Sequence, residues 1–299
     1  MSLYINTNVS SLNSQRHLGV TTRKLDTSYE RLSSGLRINS AKDDAAGLQI
    51  SNRMTSEING LTQGNRNAND AISMCQVTEG ALDQVTTMLQ RIRTLALESA
   101  NGTNSTAERT ALNEEVVQLE KEIKRIGRDT TYGGNLKVFQ DSNVAHGMPD
   151  QTVFQVGSNA QQTITLDFQS MDSMMSIPAG SFDIGPSASA QNSAVTLTKL
   201  NVSDQDNAQI AIEAMTQLIT HIDSYRAELG AVQNRMESTI SNQENVIENV
   251  SAARSRIRDV DYATETANMS QMNILQQAAT TILSQANQKP NIALNLLGQ

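Results

Sequence analysis

The sequence predicts a mainly α protein. It is a long, coiled-coil-like helical rod made by an N-terminal and a C-terminal arm, with a small β-hairpin insert between them. Three observations carry this. Prolines are nearly absent from the arms: Pro149, Pro178 and Pro186 fall in one stretch and Pro290 lies near the end, so residues 1–148 and 187–289 contain none. Apolar residues in both arms recur at alternating spacings of three and four, the signature of one helix face. The middle of the sequence switches period and holds all four phenylalanines, Phe139, Phe154, Phe168 and Phe182, as strands and turns do.

Taken in order, residues 1–40 read as an N-terminal helix and linker. Ile5, Val9 and Leu12 have helical spacing, and Arg16 is the single charged side chain in residues 1–22. Residues 41–135 read as the N-terminal rod helices. A stripe through Met54, Ile58, Leu61, Asn65, Ala68, Ile72, Cys75, Glu79, Leu82, Thr86 and Leu89 defines the first of them, with Ser40 and Asp43 as its capping box. The run Asn101-Gly102-Thr103-Asn104-Ser105 breaks it. Ser105 with Glu108 opens a second helix, and Gly133-Gly134 is expected to end that one.

Residues 136–200 form the insert. Ile164, Leu166 and Phe168 alternate, as do Phe182 and Ile184, and residues 146–150 supply a turn, so one or two hairpins packed on the helix ends are predicted. Residues 169–200 hold Ser170, Ser173, Ser176, Ser181, Ser187, Ser189 and Ser193, which predicts an exposed, loop-rich tip. Residues 201–260 carry the longest stripe: Ala208, Ala211, Met215, Leu218, Ile222, Tyr225, Leu229, Val232 and Met236, then Val246, Val250, Ala253, Ile257 and Val260. Thr239 and Gln243 interrupt it, and Ser203 with Asp206 reads as its cap. About seven heptads on one face specify a coiled-coil-like helix, roughly 80 Å long at 1.5 Å per residue. Residues 261–299 repeat the pattern of the N-terminus. Met272, Leu275, Ala279, Ile282 and Ala286 have helical spacing, and Lys289 is the one charge in residues 266–299. Helices of this composition bury too little to offset their ordering entropy alone. Both ends are therefore expected to be loose in a single chain and to order against copies of themselves.

Composition excludes several classes. The 299 residues carry 23 Lys plus Arg against 31 Asp plus Glu, a net charge of −8, the wrong sign for nucleic acid or an anionic membrane surface. No run of 18 apolar residues is present, so no membrane span is expected. The opening residues show neither a basic nor an apolar leader region, so no cleaved signal peptide is expected. Trp is absent and Cys75 is the single cysteine, on a stripe position, where it reads as a small buried apolar residue. His17, His146 and His221 have no metal-ligand spacing. The Asp43-Asp44 pair fits helix-start electrostatics, since adjacent residues do not share a helix face. The mixed charges of residues 114–129 read as a solvated face, and Arg254, Arg256 and Arg258 read as ion-pairing flanks of Ile257. No phosphate loop, dinucleotide fingerprint or nucleophile elbow is present. No catalytic residue, cofactor or metal is expected, and no enzyme.

Two stretches resemble a known family. Asn6-Thr-Asn8-Val-Ser-Ser-Leu12, followed by residues 32–48 (Leu-Ser-Ser-Gly-Leu-Arg-Ile-Asn-Ser-Ala-Lys-Asp-Asp-Ala-Ala-Gly-Leu), is similar to the N-terminal core of bacterial flagellins. Residues 254–265 (Arg-Ser-Arg-Ile-Arg-Asp-Val-Asp-Tyr-Ala-Thr-Glu), Asn268-Met-Ser, Ile274-Leu-Gln-Gln-Ala278 and Leu294-Asn-Leu-Leu297 resemble their C-terminal core. The resemblance covers about residues 1–140 and 200–299 and leaves no room for large outer domains. It implies an extracellular filament subunit for swimming, exported unfolded by the flagellar type III system. The implied partners are copies of itself, the hook-associated junction and cap proteins and an export chaperone. Ile5, Val9, Leu12, Met272, Leu275, Ile282, Leu294 and Leu297 are then the expected subunit-packing residues. A hook–filament junction protein, similar at both ends, is the alternative within the same class. A coiled-coil signalling rod is the alternative from another class, but it leaves the β insert and the low-charge ends unexplained.

The resemblance implies two further surfaces. Residues 90–97 are similar to the stretch through which many flagellins engage a host Toll-like receptor, which makes Arg91, Leu95 and Glu115 candidate receptor or subunit contacts, with Leu95 expected to face solvent. Thr94 stands where strongly stimulating members often have an acid. The serines of the tip are candidate O-glycosylation sites, as on many flagellins, beside the plainer reading of a solvated loop.

Overall fold

Helix starts and stops follow from local hydrogen bonding. In a computed structural model, helix α1 (Val9–Ser34) begins where the Asn8 side chain accepts from the Ser11 N–H, and it stops at Gly35. There φ is 72°, a left-handed conformation that glycine adopts without strain. The structure describes residues 7–134, 136–139, 151–177, 195–196 and 201–297. Helix α2 (Ala45–Ser99) and helix α5 (Gln205–Arg258) are the long elements; helix α3 (Thr106–Asp129) follows α2, and helix α6 (Tyr262–Leu297) is the last. Between α3 and α5 lie three two-stranded antiparallel pairs and one helical turn: β1 (Thr131–Tyr132) with β2 (Leu136–Lys137), β3 (Gln151–Gln155) with β4 (Thr163–Asp167), α4 (Met171–Met174), and β5 (Ser176–Ile177) with β6 (Val195–Thr196). The fold is mainly α with a small hairpin insert, as the periodicities require.

Three of the expected helix boundaries are corrected by hydrogen bonding. Asp44, not Ser40, caps α2: its Oδ1 accepts from Gly47 N at 2.9 Å and its carbonyl from Leu48 N. Asp43 instead ties off the preceding turn. Its Oδ2 accepts from Ser40 N, Ser40 Oγ and Asn39 N, which holds the carboxyl below its ordinary value. Helix α5 opens one residue later than Ser203 would place it, because the Asp204 carbonyl accepts its first bond, from Ala208 N. Gly133 and Gly134, at φ 62° and 86°, do not end α3; they make the β1–β2 turn, and α3 stops earlier, at Asp129. The Ser105–Glu108 box at the start of α3 is present with both of its bonds.

The protein forms two units, Met1–Ile58 with Val246–Gln299, and Asn59–Asn245. The second holds the main core. Leu82, Val85, Leu89, Ile92 and Leu95 of α2 meet Val116 and Ile123 of α3 and Met215, Leu218, Ile222 and Leu229 of α5. Ile164, Leu166 and Phe168 point inward from the β4 edge of the insert, as their alternation requires, and Phe182 and Ile184 lie outside the described residues. The α2 register differs by one at alternate positions from the stripe read in the sequence. Leu61, Ala68, Cys75, Leu82 and Leu89 are buried as expected, but the intervening buried residues are Gly64, Ala71, Thr78 and Val85 rather than Asn65, Ile72, Glu79 and Thr86 (Thr86 alone of these four is also buried). Gly64 supplies the reason: a Cβ there would lie 1.8 Å from the Val156 carbonyl oxygen. The β3–β4 hairpin rests on that gap. Gln243 of α5, which breaks its stripe, is buried and donates to the same carbonyl at 2.8 Å, while Asn67 donates to Gln155 O. The start of the serine-rich segment is a further correction: Met171, Met174 and Met175 are buried in the core, so this part is no exposed loop.

One buried acid has a testable consequence. Glu120 on α3 is 7% exposed and its Oε1 has no hydrogen-bond partner among the described residues. Burial lifts its carboxyl to about 7, with Lys124 one turn on opposing the rise. The folded protein therefore holds this proton where the unfolded chain releases it. The stabilisation is complete below the ordinary glutamate value and is lost as pH rises through about 7. Glu120→Gln is expected to flatten that dependence and to stabilise the protein at pH 8 by on the order of 1 kcal/mol, after allowance for solvent screening. Thermal melts at pH 5.5 and 8 check it; an equal Tm difference at both would be the wrong outcome.

Candidate assembly interface

Within the first unit, α1 and α6 run antiparallel. Asn8 Nδ2 donates to Ala286 O at 2.7 Å, Ser11 Oγ to Asn287 Oδ1 at 2.7 Å, Gln276 Nε2 to Thr22 Oγ1 at 3.5 Å, and Arg31 pairs with Glu265 at 3.7 Å. The terminal helices thus order against each other, which corrects the expectation that they order only against copies. What the pair buries is small: Ser11, Leu25, Ser28, Glu265 and Ala286. Several of the larger apolar side chains stay outside. Val9 is 67% exposed, Leu12 57%, Ile274 66% and Ile282 55%, with Leu275 also exposed and Met272 half-buried. Ile5 lies outside the described residues, and Leu294 and Leu297 lie in α6 with side chains outside them. With Leu25 alone of its large apolar side chains fully buried among the described residues, and leucine and isoleucine facing water, the pair exposes a surface that a further apolar surface would stabilise.

The two stretches that carry the family resemblance meet at one joint, where α1 passes to α2 and α5 to α6. Arg37 N donates to Arg258 O at 2.7 Å, Val260 N to Gly35 O at 3.0 Å, and Leu36 bridges Asp259. Arg37 Nη2 reaches Ile257 O at 2.5 Å. Asp261 then opens α6 by accepting from Ala263 N, Thr264 N and Thr264 Oγ1, the last of these the main cause of its lowered pKa. The Tyr262 hydroxyl sits where a Cβ on Gly35 would fall, 3.0 Å away. Sequence reasoning misses this cross-bracing. The glycine after a helical run at Ser34 is its one local signal.

The other candidate contacts separate. Arg91 Nε lies 2.7 Å from Glu115 Oε1, an exposed ion pair joining α2 to α3. Leu95 is not beside it in solvent: it is 1% exposed, because α2 packs on both α3 and α5 and so buries a wide face that includes Ile92, Leu95, Ala96 and Ser99. The exposed leucine of this stretch is Leu97. Ser170 caps α4 by accepting from Ser173 N, Ser173 is exposed and Ser176 is half-buried in β5. Ser181, Ser187, Ser189 and Ser193 lie outside the described residues. Cys75 is buried, and burial pushes its thiol up to about 11, so it is not a nucleophile at neutral pH. Among the described residues no group of three or more His, Cys, Asp or Glu is placed to hold a metal, and no helix is long and apolar enough to cross a membrane.

Long packed helices whose two terminal segments pair and leave apolar side chains outside are the architecture of a helical protein with an open face for assembly. Comparison with known proteins is specific. The bacterial flagellin N-terminal helical region matches residues 5–144 and the bacterial flagellin C-terminal helical region matches residues 212–297. Polar flagellin F of Vibrio parahaemolyticus is 37% identical over 384 aligned positions, covering 100% of both chains. Flagellin A of Vibrio anguillarum is 38% identical over 385, covering 99% of this chain and 100% of that one. A putative flagellar hook-associated protein from Vibrio parahaemolyticus shares the fold, with a TM-score of 0.56 at 16% identity over 73% of this chain and 100% of that one. The chain belongs to the bacterial flagellin family, in a short form, and is a structural filament subunit.

Proposed function

We propose that the protein is exported unfolded through the flagellar type III system, assembles outside the cell and serves swimming motility. In this reading it meets a chaperone on the way out, and junction and cap proteins at the ends of the filament. Its assembly contacts are the outward residues Val9, Leu12, Leu275 and Ile282 of the α1–α6 pair with half-buried Met272, continued by Ile5, Leu294 and Leu297. The exposure of Val9, Leu12, Leu275 and Ile282, in stretches (residues 1–22 and 266–299) that carry one charged side chain each, is the observation that supports it. A heterologous interface that does not close on itself then yields a helical polymer. The test is to concentrate the purified protein and image it by negative stain. Filaments uphold the reading; a closed oligomer or a permanent monomer overturns it and favours a junction role.

The same preparation addresses the receptor reading, which here rests on the exposed Arg91 and Glu115 without Leu95. Monomeric Arg91→Ala is expected to lose Toll-like receptor signalling. Lost polymerisation with signalling intact makes Arg91 an assembly contact only. Exposed Ser173, together with Ser181, Ser187, Ser189 and Ser193, stays a candidate O-glycosylation site, and an unchanged intact mass of native filaments removes that proposal.

A further inference from the structure

We propose that Asn101 is a site of spontaneous deamidation, selected by the fold rather than by its dipeptide alone. The sequence has two Asn-Gly pairs, Asn59-Gly60 and Asn101-Gly102. In the reaction the Gly102 backbone nitrogen, after losing its proton, attacks Cγ of Asn101. A bond from that nitrogen to Cγ forms, the bond from Cγ to Nδ2 breaks, and ammonia leaves with the proton to give a succinimide. Water opens either imide carbonyl, yielding aspartate or isoaspartate. Water is the only co-reactant.

The α2–α3 loop supplies the geometry. Asn101 and Gly102 are both exposed. Thr103 N donates to Asn101 Oδ1 at 3.4 Å, which folds the side chain back over the Gly102 peptide and polarises the carbonyl under attack. The Gly102 N–H donates to no group among the described residues, so its nitrogen is free to react. The comparable sites lack this. Gly60 lies in the interior of α2, where its N–H is held in the helical ladder. Ser40 N, after Asn39, donates to Asp43 Oδ2 at 2.9 Å. Ser105 N, after Asn104, donates to Glu108 Oε2 at 2.7 Å, and the Asn104 amide is itself held by Glu98 O.

The modification has a structural target. The Asn101 carbonyl accepts from Arg109 Nη2 at 3.0 Å, and Asn104 O accepts from Arg109 Nε at 3.3 Å. Arg109 is buried, and its Nη1 has no partner among the described residues. Isoaspartate lengthens the backbone by one methylene at the residue that anchors this guanidinium, so the aged loop loses one of its two ties to α3.

The test is to age the full-length protein at neutral pH, folded and in urea, and to follow tryptic peptides 94–109 and 54–66 by mass spectrometry with fragmentation. In the folded protein Asn101 is expected to convert at close to its urea rate. Asn59 is expected to convert at least about tenfold more slowly than in urea, because the helix must open first. A Cβ on Gly102 meets nothing within 4 Å. Gly102→Ala is therefore expected to leave Tm unchanged while slowing Asn101 by at least about tenfold, since glycine's bare Cα is what lets the nitrogen approach. Equal protection of both sites in the folded protein, or an unchanged rate in Gly102→Ala, overturns the proposal.

Discussion

Variants lacking residues 1–34 or 262–299 are expected to remain monomeric at concentrations where the full-length protein pellets as filaments, while residues 59–245 still melt cooperatively. The reason lies in where apolar surface is buried. Residues 59–245 form a unit with their own core, from Cys75 and Leu82 through Leu218 and Leu229. The α1–α6 pair buries mostly small residues and leaves Val9, Leu12, Ile274, Leu275 and Ile282 exposed. Covering each large aliphatic side chain is worth about 1.5–3 kcal/mol. Losing the face thus removes several kcal/mol per contact, on the order of a thousandfold or more in the concentration needed to polymerise. Removing either helix also strips the Asn8–Ala286, Ser11–Asn287 and Arg31–Glu265 contacts from the other, so either deletion has the same outcome. Sedimentation with circular dichroism measures both halves: the full-length protein pellets, and the truncated variants stay in the supernatant while residues 59–245 keep a cooperative melt. Truncated variants found as filaments by microscopy would refute the assignment.

How far this is legible in the sequence depends on what kind of interaction fixes each feature. Periodicity reports which face is apolar, and the α5 stripe from Ala208 to Met236 is buried almost as read. It does not report how many neighbours a helix has. Leu95 reads as solvent-facing beside Arg91 because four residues separate them, yet α2 packs against two helices and buries a wider face. Nor does apolarity find a position chosen for smallness. The α2 register turns on Gly64, whose lack of a side chain seats the Val156 carbonyl, a contact made by a hairpin more than 90 residues away in sequence. Caps are legible only to within a turn, because several Ser and Asp residues compete locally; the winner, as at Asp44 and Asp204, is set by which carbonyl accepts the first helical bond. The joint between the two resemblance stretches is backbone to backbone, and such pairing leaves almost no trace in residue types.

Leu218→Asp is expected to unfold residues 59–245 at room temperature, the largest stability effect expected of any single substitution named for this protein. Leu218 is 2% exposed, in the same cluster as Leu89, Ile92 and Leu229. Replacing it removes about 2–5 kcal/mol of packing and transfer free energy. It also leaves a carboxylate that must either ionise without a partner or stay protonated at neutral pH, either way at several kcal/mol. The sum is comparable with the whole stability of an ordinary domain, about 5–15 kcal/mol. Position along the same face should grade the effect. Val232 is only partly buried, so Val232→Asp is expected to lower the urea midpoint without abolishing the folded state. Leu97, 51% exposed on α2, is the control: Leu97→Asp should change stability by no more than about 0.5 kcal/mol. Urea unfolding followed by circular dichroism gives all three values in one experiment. If Leu218→Asp and Leu97→Asp share a midpoint, the α2–α5 seam is not the core of this unit. A graded series fixes the seam as the element that holds α2, α3 and α5 together whether or not the ends are engaged in a filament.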